Sequence, residues 1–433
     1  MRRWLVWPLS LAAFLALALA RPGVAQTSRP AHGLEVGCRE EGASAARRAS
    51  RPRGDESWTS VADGVNDTVF ALAILGADLY VGGQFQEMSD ETGTTEVDFI
   101  AKWNGKTWES LGDGVNERVW AITPDGQTIL VGGWFTEVSD EQGVHTVNHI
   151  ARWNGAQWSP IGGGVDGGVA AIAVSGSDIY VGGFFSHAID SSGEKVAAHN
   201  IAKWDGRAWS PLGGGLGGEA SSYVSVSSIA VSGADVYVGG AFTTAADADG
   251  VKSVNNIARW DGSHWAALGG GANDYVYAVA AQGPDVYVGG QFTSVAGAAG
   301  TTPAKGIARW TDKGWQTVGD GLTFGIAPGR VYALKADRDS VYVGGDFTET
   351  LDRAGVKNAN FIARWDGGAW RPLGDGVNSS VMALATRGVT VYAGGSFNAA
   401  GEQEAKCVAR FRPAGLFGDY GLYLSAIAAD AGK

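Results

Sequence analysis

Cysteine is nearly absent from this sequence, and long apolar runs are absent beyond its N-terminus. Two cysteines among 433 residues exclude a small domain held together by a framework of disulfides. After residue 20, no segment reaches the ~18 consecutive apolar residues that a membrane-spanning helix requires. The Gly-X-Y period of collagen is missing too, although 67 residues are glycine. Because 45 % of the residues are hydrophobic, the chain can bury a core, and its glycines belong to a folded structure.

Basic residues are scarce outside the first 56 positions. Those positions hold nine arginines and five acidic residues, which leaves 24 basic against 40 acidic residues for the rest of the chain. A folded region with this excess of carboxylates repels phosphate backbones, so we expect no nucleic-acid partner. Cations, basic proteins and neutral sugars are compatible with this charge.

The N-terminal segment has the composition of a secretory signal. Arg2 and Arg3 precede an apolar run over residues 4–20, and small-residue cleavage patterns follow at residues 18–20 and 23–25. This arrangement is typical of a signal peptide, with a single membrane anchor as the alternative. We predict a signal peptide over residues 1–25 and a flexible leader over residues 26–56. The mature protein is then secreted, periplasmic or at the cell surface, and it does not span the membrane.

One motif, Gly-Gly-x-Phe, occurs seven times. Successive copies lie 50–57 residues apart and begin at Gly82, Gly132, Gly182, Gly239, Gly289, Gly344 and Gly394. Each copy lies in the second of four short apolar segments, which in the second repeat cover residues 119–122, 129–133, 150–153 and 158–161. This period, with four short strands per repeat, predicts an all-β fold: a seven-bladed β-propeller over residues 57–413, with four strands per blade.

The turns and the aromatic residues follow the same period. Asn-Gly or Asp-Gly joins the third and fourth segments in five repeats, at residues 104–105, 154–155, 205–206, 261–262 and 366–367, which favours tight hairpins. Thirteen of the 17 tryptophans lie in these two segments, and we expect them to serve in packing. The doubled glycines indicate either a close approach between packed sheets or a β-bulge.

The two ends of the repeat array are complementary. Trp58 opens a fourth-type segment before the first complete repeat, whereas the last repeat stops after its third segment at Phe411. We therefore predict that the N-terminal strand at residues 57–61 completes the last blade and closes the ring. A disulfide between Cys38 and Cys407 is a further hypothesis, because export places both residues in an oxidising compartment.

These motifs resemble those of known propellers. A strand that ends in Gly-Gly, a later aromatic strand and a tryptophan that opens the next strand resemble kelch and galactose-oxidase-type repeats. The segment YVGGQF at residues 80–85, followed by IAKW at 100–103 and LGDGV at 111–115, is also similar to repeats in secreted bacterial propellers of unassigned function and in fungal cortical polarity markers. The resemblance covers residues 57–413. It implies the fold and no single activity, because one propeller scaffold hosts many activities.

Loop lengths indicate which face binds a ligand. Both large insertions, at residues 216–226 and 322–331, fall in connections between blades, and these share a face with the long connections between second and third strands. Variable loops on a rigid scaffold commonly carry binding residues. The expected ligand-binding residues are Asp63, Asn66, Asp113, Asn116, Asp320, Asp375, Asn378, Tyr223, Phe324 and Arg330. Turn formation is the alternative role for the acids and asparagines.

An outer set of acids on the same face also has a functional and a structural interpretation. It includes Asp90, Asp140, Asp247 and Asp352, which could bind cations or keep the surface soluble. Residues 247–250 (DADG) resemble the start of a calcium loop but lack its downstream glutamate.

Catalytic motifs are not evident. A galactose-oxidase-like copper site would need histidine and tyrosine ligands with a cysteine linked to one tyrosine, and the best histidine grouping, His145, His149, His187 and His199, has no assignable tyrosine partner. No Ser-His-Asp order, zinc signature or phosphate loop is evident, so we expect no catalytic residue, cofactor or metal. The sequence therefore favours an exported propeller that binds a protein or a glycan. A secreted enzyme on the same scaffold, an oxidase or a glycoside hydrolase, is the alternative.

Overall fold

A computed structural model of the chain describes Cys38 and residues 57–218, 224–298 and 300–413. The predicted signal peptide, most of the leader and the tail over residues 414–433 lie outside these residues. Every helix or strand that the described residues form is a β-strand. No described segment forms a helix with the length and apolar character needed to cross a membrane.

The described strands are short and follow the repeat period. In the first three repeats they are β1 (Ser57–Ser60), β2 (Gly64–Val65), β3 (Val69–Leu75), β4 (Asp78–Gly83), β5 (Glu87–Asp90), β6 (Gly93–Glu96), β7 (Ile100–Trp103), β8 (Trp108–Ser110), β9 (Gly114–Val115), β10 (Val119–Asp125), β11 (Thr128–Gly133), β12 (Glu137–Asp140), β13 (Gly143–Thr146), β14 (Ile150–Trp153), β15 (Trp158–Pro160), β16 (Val169–Ser175), β17 (Asp178–Gly183), β18 (His187–Ile189), β19 (Lys195–Ala197), β20 (Ile201–Trp204) and β21 (Trp209–Pro211).

The fourth to seventh repeats continue the series. Their strands are β22 (Gly215–Gly217), β23 (Ser225–Ser232), β24 (Asp235–Ala241), β25 (Thr244–Asp247), β26 (Gly250–Ser253), β27 (Ile257–Trp260), β28 (Trp265–Ala267), β29 (Gly271–Ala272), β30 (Val276–Gln282), β31 (Asp285–Gly290), β32 (Ser294–Gly297), β33 (Gly300–Pro303), β34 (Ile307–Thr311), β35 (Gly314–Thr317), β36 (Gly321–Phe324), β37 (Ala327–Pro328), β38 (Arg330–Asp337), β39 (Ser340–Asp346), β40 (Glu349–Asp352), β41 (Gly355–Asn358), β42 (Ile362–Trp365), β43 (Trp370–Pro372), β44 (Val381–Arg387), β45 (Thr390–Gly395), β46 (Ala399–Ala400), β47 (Gln403–Glu404) and β48 (Val408–Arg412).

Each repeat folds into a four-stranded antiparallel sheet, which we call a main sheet. The main sheets are β3-β4-β7-β8, β10-β11-β14-β15, β16-β17-β20-β21, β23-β24-β27-β28, β30-β31-β34-β35, β38-β39-β42-β43 and β44-β45-β48-β1. The predicted all-β fold of repeated four-stranded units is confirmed. In the last main sheet the outer strand is the N-terminal β1, which pairs with β48 from Ser57 opposite Arg412 to Ser60 opposite Ala409.

The first strands bring the main sheets together. Each first strand contacts the first strand of the next repeat, in the order β3, β10, β16, β23, β30, β38 and β44, and β44 also contacts β3. The two glycines of each Gly-Gly pair serve this packing differently. A Cβ on Gly132 would overlap Val169 of the next sheet, whereas one on Gly133 would overlap the carbonyl oxygen of Arg118 beside a β-bulge. Both explanations of the doubled glycines therefore apply, one to each glycine.

Four of the seven fourth-strand tryptophans donate a hydrogen bond to a neighbouring sheet. Trp158 Nε1 donates to the carbonyl oxygen of Leu111 at 3.0 Å, and Trp265 and Trp315 make equivalent bonds at 2.9 Å to Leu212 and Leu268. Across each hairpin, the two tryptophans pack together; Trp153 and Trp158, for example, have ring centroids 5.0 Å apart. The repeated tryptophans thus have the packing role that the sequence indicates.

The sequence analysis treated the connections between second and third strands as loops, but in the structure they contain strands of their own. Each forms a small hairpin, such as β12–β13, and in most repeats a short strand from the preceding inter-sheet connection pairs with it, as β9 does with β12. In the third and seventh repeats single bridges, Val165 to Ala188 and Val377 to Ala400, replace that strand. We call these units side sheets. The side sheets join the second-to-third connections to the inter-sheet connections. We call the end of the main sheets where these connections lie the loop face.

Candidate functional site

Two positions in every repeat bring variable side chains to the end of the main sheets where the inter-sheet connections arrive. The first is the bulged residue of each first strand: Phe70, Trp120, Ala170, Ser227, Tyr277, Tyr332 and Met382. The second follows each Gly-Gly pair: Gln84, Trp134, Phe184, Ala241, Gln291, Asp346 and Ser396. We call these 14 residues the rim. All except Ala241 are partly exposed. A β-bulge commonly re-aims a side chain away from regular pairing.

Three rim residues of the second and third repeats form an aromatic cluster. The centroid of the Trp120 ring lies 5.6 Å from that of Trp134 and 5.8 Å from that of Phe184, both with edge-to-face geometry. Trp134 and Phe184 are nearly parallel, at 6.3 Å and 15°. His149 packs against Trp134 at 5.9 Å, and burial lowers the pKa of its imidazole. The cluster therefore presents apolar ring surface at the rim, next to an imidazole that stays neutral at pH 7.

A glycine makes room for this cluster. A Cβ on Gly168 would lie 2.9–3.2 Å from atoms of the Trp134 indole, and the nearest are the two carbons shared by its fused rings. Those carbons can be approached this way only from the face of the ring, so the indole lies over the Gly168 backbone. Other repeats carry Arg118, Tyr275 or Arg330 at this position. The repeat unit alone does not demand glycine here.

The fifth and sixth repeats contribute a polar cluster: Tyr277, Gln291, Tyr332 and Asp346. The Tyr277 hydroxyl donates to Gln291 Oε1 at 2.7 Å and the Tyr332 hydroxyl to Asp346 Oδ2 at 2.8 Å. The two tyrosine rings pack at 5.5 Å. Burial raises the pKa of both phenols far above their usual value, so both keep their protons at neutral pH.

Neighbouring side chains fix the polar cluster from outside. Ser380 of the seventh repeat donates to Asp346 Oδ1. Gln291 Nε2 donates to Asp274 Oδ1 at 2.9 Å, which orients the amide so that its oxygen faces Tyr277. A carboxylate has about four acceptor positions, so Asp346 keeps capacity for further donors after these bonds.

The residues that the sequence analysis selected lie in the side sheets and in the connections around the rim. Asp63, Asp113, Asp320 and Asp375 are exposed turn residues, one in each of four repeats. Asn66, Asn116 and Asn378 each accept two backbone N–H groups of the following hairpin through Oδ1, at 2.9–3.1 Å. These bonds occupy the asparagines in shaping the loop face.

The remaining selected residues have different surroundings. Phe324 is 49 % exposed on β36 and packs at 6.2 Å against Phe361. Arg330 begins β38, two positions before Tyr332 of the polar cluster. Tyr223 lies outside the described residues. The nine described residues among the ten are spread over several repeats of the loop face and do not converge on one point, but Arg330 adjoins the rim.

The outer acids hold the main sheets to the side sheets. Asp140 Oδ2 accepts the backbone N–H of Trp158 at 2.7 Å, and Asp352 accepts that of Trp370 at 2.7 Å. Asp90 and Asp247 make the same bond to the tryptophan 18 residues further on. The Asp140, Asp247 and Asp352 side chains are at most 3 % exposed. Their role is therefore to fasten each hairpin to a fourth strand.

The four grouped histidines are dispersed. His145 pairs with Asp140 at 3.1 Å and His187 with Asp166 at 2.8 Å, while His149 packs on Trp134. Among the described residues, no three His, Cys, Asp or Glu side chains are arranged to hold a metal ion.

Cys38 and Cys407 are in disulfide contact in this structure, with Cα atoms 6.1 Å apart. Both are buried, with exposures of 3 % and 0 %. Cys38 packs in the same core cluster as Val61 and Val65, between the first and last repeats. This contact fixes one point of the leader against the folded chain.

Comparisons with known proteins return fold likeness only. No family model matches the chain, and no curated protein matches it. The WD40 β-propeller domain of Doa1 is 11 % identical with a TM-score of 0.47, covering 82 % of this chain and 96 % of that one. YCF48 from Cyanidioschyzon merolae is 14 % identical with a TM-score of 0.45, covering 82 % and 98 %. The computationally designed Ika8 protein is 16 % identical with a TM-score of 0.43, covering 80 % and 96 %.

The repeated main sheets decide the architecture, since four-stranded antiparallel sheets in contact through their first strands are propeller blades. This chain is a β-propeller repeat protein. Such a scaffold hosts many unrelated activities, and the activity depends on the side chains that it carries.

Sequence reasoning on this propeller missed the rim, although one signal was available. Of the 17 tryptophans, 13 follow the repeat and two lie in the predicted signal peptide. The two that remain are Trp120 and Trp134, which form the aromatic cluster with Phe184. A tryptophan that breaks the period of an otherwise periodic chain marks a position where the fold does not dictate the residue.

Proposed function

We propose that this chain is an exported, closed seven-bladed β-propeller with kelch-like repeats that binds a protein or glycan on its loop face. Export is supported by the arginines and apolar run at the N-terminus. Closure is supported by the pairing of β1 with β48 and by the contact of β44 with β3. Secretion or a periplasmic or cell-surface location also suits a buried disulfide.

The rim is the observation that supports binding on this face. Its aromatic and polar clusters are partly exposed, and they lie near the start of the first strands, at the end of the main sheets that carries the side sheets. Concave sites that bind ligands combine apolar or aromatic surface with a few oriented polar groups. Among the described residues, the opposite end of the main sheets carries the short hairpins between strands.

Binding by purified residues 26–433 tests this proposal, on a glycan array and in pull-down with extracellular proteins. On the loop face, the variants are Asp113→Lys and Phe324→Ser; Lys106→Glu and Arg207→Glu alter exposed hairpin tips at the opposite end. We expect binding to weaken only in the loop-face variants. Loss of binding in the opposite-end variants, or no ligand in either assay, would contradict the proposal.

A further inference from the structure

The seven repeats differ in chemistry at the rim, although they share the residues that pack their main sheets. The first strands share a buried valine, and the second strands share Gly-Gly and a following phenylalanine. At the rim, by contrast, the same positions range from Ala170, Ser227 and Ala241 to Trp120 and Trp134. Since the fold accommodates alanine and serine at these positions, large aromatic and hydrogen-bonding rim side chains are not needed to form a blade.

The aromatic cluster has the properties of a platform for a sugar ring. The Trp134 indole is supported from below by the Gly168 backbone, and Trp120 and Phe184 hold it in place through ring contacts of 5.6 and 6.3 Å. The faces of aromatic rings are electron-rich and attract weakly positive C–H groups. A pyranose presents such C–H groups on its faces, so it can stack on a fixed aromatic surface.

The polar cluster supplies hydrogen-bond donors and acceptors for the hydroxyl groups of a sugar. Asp346 and Gln291 accept hydrogen bonds, and the Tyr277 and Tyr332 hydroxyls can accept one while donating another. Internal bonds already fix these side chains, so little side-chain freedom is lost when a ligand binds.

Charge at the rim selects against anionic sugars. The rim and the two residues that precede the shared valine of each first strand contain the acids Asp67, Glu117, Asp274 and Asp346 and the bases Arg118 and Arg330. Arg118 is paired with Glu117 at 3.2 Å. Four carboxylates against two guanidinium groups leave a net negative charge, which repels uronates and sulfated chains.

We propose that the rim is a binding site for a neutral carbohydrate, with a sugar ring on the aromatic cluster and hydroxyl groups bonded to the polar cluster. This inference rests on the proposed function, because it names the ligand class of the loop face. The two clusters belong to repeats two and three and to repeats five and six, so an oligosaccharide rather than a single sugar contacts both.

Isothermal titration calorimetry of residues 26–433 tests the inference. The probes are neutral hexasaccharides of glucose, mannose, galactose and N-acetylglucosamine, with hexagalacturonate as the charged counterpart. At least one neutral hexasaccharide is expected to bind, and hexagalacturonate to bind about tenfold more weakly or not at all. Failure of every neutral probe, or tighter binding of the uronate, would overturn the inference.

Variants locate the site. Trp120→Leu keeps apolar bulk but removes the ring, and Asp346→Asn keeps the shape but removes the charge; each is expected to weaken binding about tenfold. Val251→Ala is the matched control, since it truncates an exposed apolar residue of a side sheet outside the rim, and its affinity should equal that of the unmodified protein. Gly168→Ala adds a second route, because it displaces Trp134 without deleting a ring.

The outcomes separate the two proposals. Thermal unfolding of each variant checks that it is folded. Unchanged affinity in all three variants, Trp120→Leu, Asp346→Asn and Gly168→Ala, would place the sugar elsewhere and overturn the rim assignment. If no neutral hexasaccharide binds while another ligand is still lost on Phe324→Ser, the carbohydrate inference fails and the proposed function stands. If no ligand depends on any loop-face residue, both fail.

Discussion

Glycines at single positions set how closely the main sheets of this propeller approach. The first glycine of each Gly-Gly pair faces a valine of the next sheet: Gly132 faces Val169, and Gly182 faces Val226. Any Cβ there would overlap a fully buried valine side chain. Such glycines are required by packing between sheets rather than by an unusual backbone angle, because their φ values are not positive.

Gly132→Ala is therefore expected to destabilise the protein. The added methyl group overlaps Val169 in a closely packed core, and overpacking of this kind costs about 1–3 kcal/mol. Gly368→Ala is the matched control, since its Cβ would meet only Asp366 Oδ1 at 3.9 Å. Urea unfolding of both variants measures the difference. Equal midpoints for the two would show that the sheets separate easily.

Single buried aspartates also stabilise the folded protein. The Lys357 ammonium group donates to Asp352 at 2.9 Å and lowers the pKa of that carboxyl below its usual value, and the backbone N–H of Trp370 contributes in the same direction. A carboxyl whose pKa is lowered by folding stabilises the protein above its unfolded pKa, and this contribution is lost as the pH falls through the folded value.

Asp352→Asn is therefore expected to lower the melting temperature by several degrees at pH 7, and by less as the pH falls below about 4, where the carboxyl of the unfolded chain becomes protonated. Melting curves at pH 7, 5 and 3.5 measure this. Asp375→Asn, at an exposed turn, should leave the melting temperature unchanged throughout. A constant difference between Asp352→Asn and the native protein at every pH would contradict the ionic role.

At the scale of strands, the last main sheet depends on an element from the other end of the chain. In β1, Trp58 is 4 % exposed; its Nε1 donates to the Leu373 carbonyl oxygen at 2.7 Å, and its ring packs at 5.3 Å on Phe411. Without β1, one edge of β48 and this buried pocket would be open to solvent.

Comparison of residues 57–433 with residues 62–433 tests the contribution of β1, since both proteins lack Cys38 and differ only in this strand. The shorter protein is expected to be less stable by at least about 3 kcal/mol, the usual cost of removing one buried tryptophan. Thermal unfolding and light scattering measure stability and edge-to-edge association. Identical melting of the two proteins would mean that β1 does not complete the sheet.

Strand patterns explain which parts of this architecture were predictable. The main sheets were predicted because their strands combine apolar runs with periodic glycine and tryptophan, and residues such as Val131 and Ile150 are fully buried. The side sheets escaped prediction because strands such as β13 expose most of their residues and carry no apolar alternation. Their hairpins depend instead on Asp140-like side chains that bond to a distant backbone N–H, and sequence spacing does not reveal such a bond.

The candidate site was less predictable than the fold. Asp63, Asn66 and their equivalents were chosen because loops carry function, and the loop asparagines are engaged in shaping the hairpins. The rim depends on a bulge directly after the buried valine of each first strand, and such a bulge re-aims a residue that lies within a strand. Strand periodicity assigns that residue to packing.

At the scale of the whole molecule, the disulfide contact joins residues 369 positions apart. Cross-linking so distant a pair restricts the unfolded chain strongly, and native disulfides typically contribute about 2–4 kcal/mol. Oxidised protein is expected to be lighter by two hydrogen atoms in intact-mass analysis and to lose stability on reduction. Cys38→Ser and Cys407→Ser should each match the reduced native protein. Two free thiols in the oxidised sample, or no change on reduction, would rule out the bond.

The pairing of β1 with β48 also sets an order of events during synthesis. Ser57 is made early, whereas its partner Arg412 is among the last described residues to be made, so the last sheet cannot form while the chain is still emerging. The earlier repeats can fold in sequence, but β1 must stay unpaired until β48 arrives. The last main sheet therefore forms only after residue 412 has been made, and the core around Cys38 and Cys407 is completed at the same late stage.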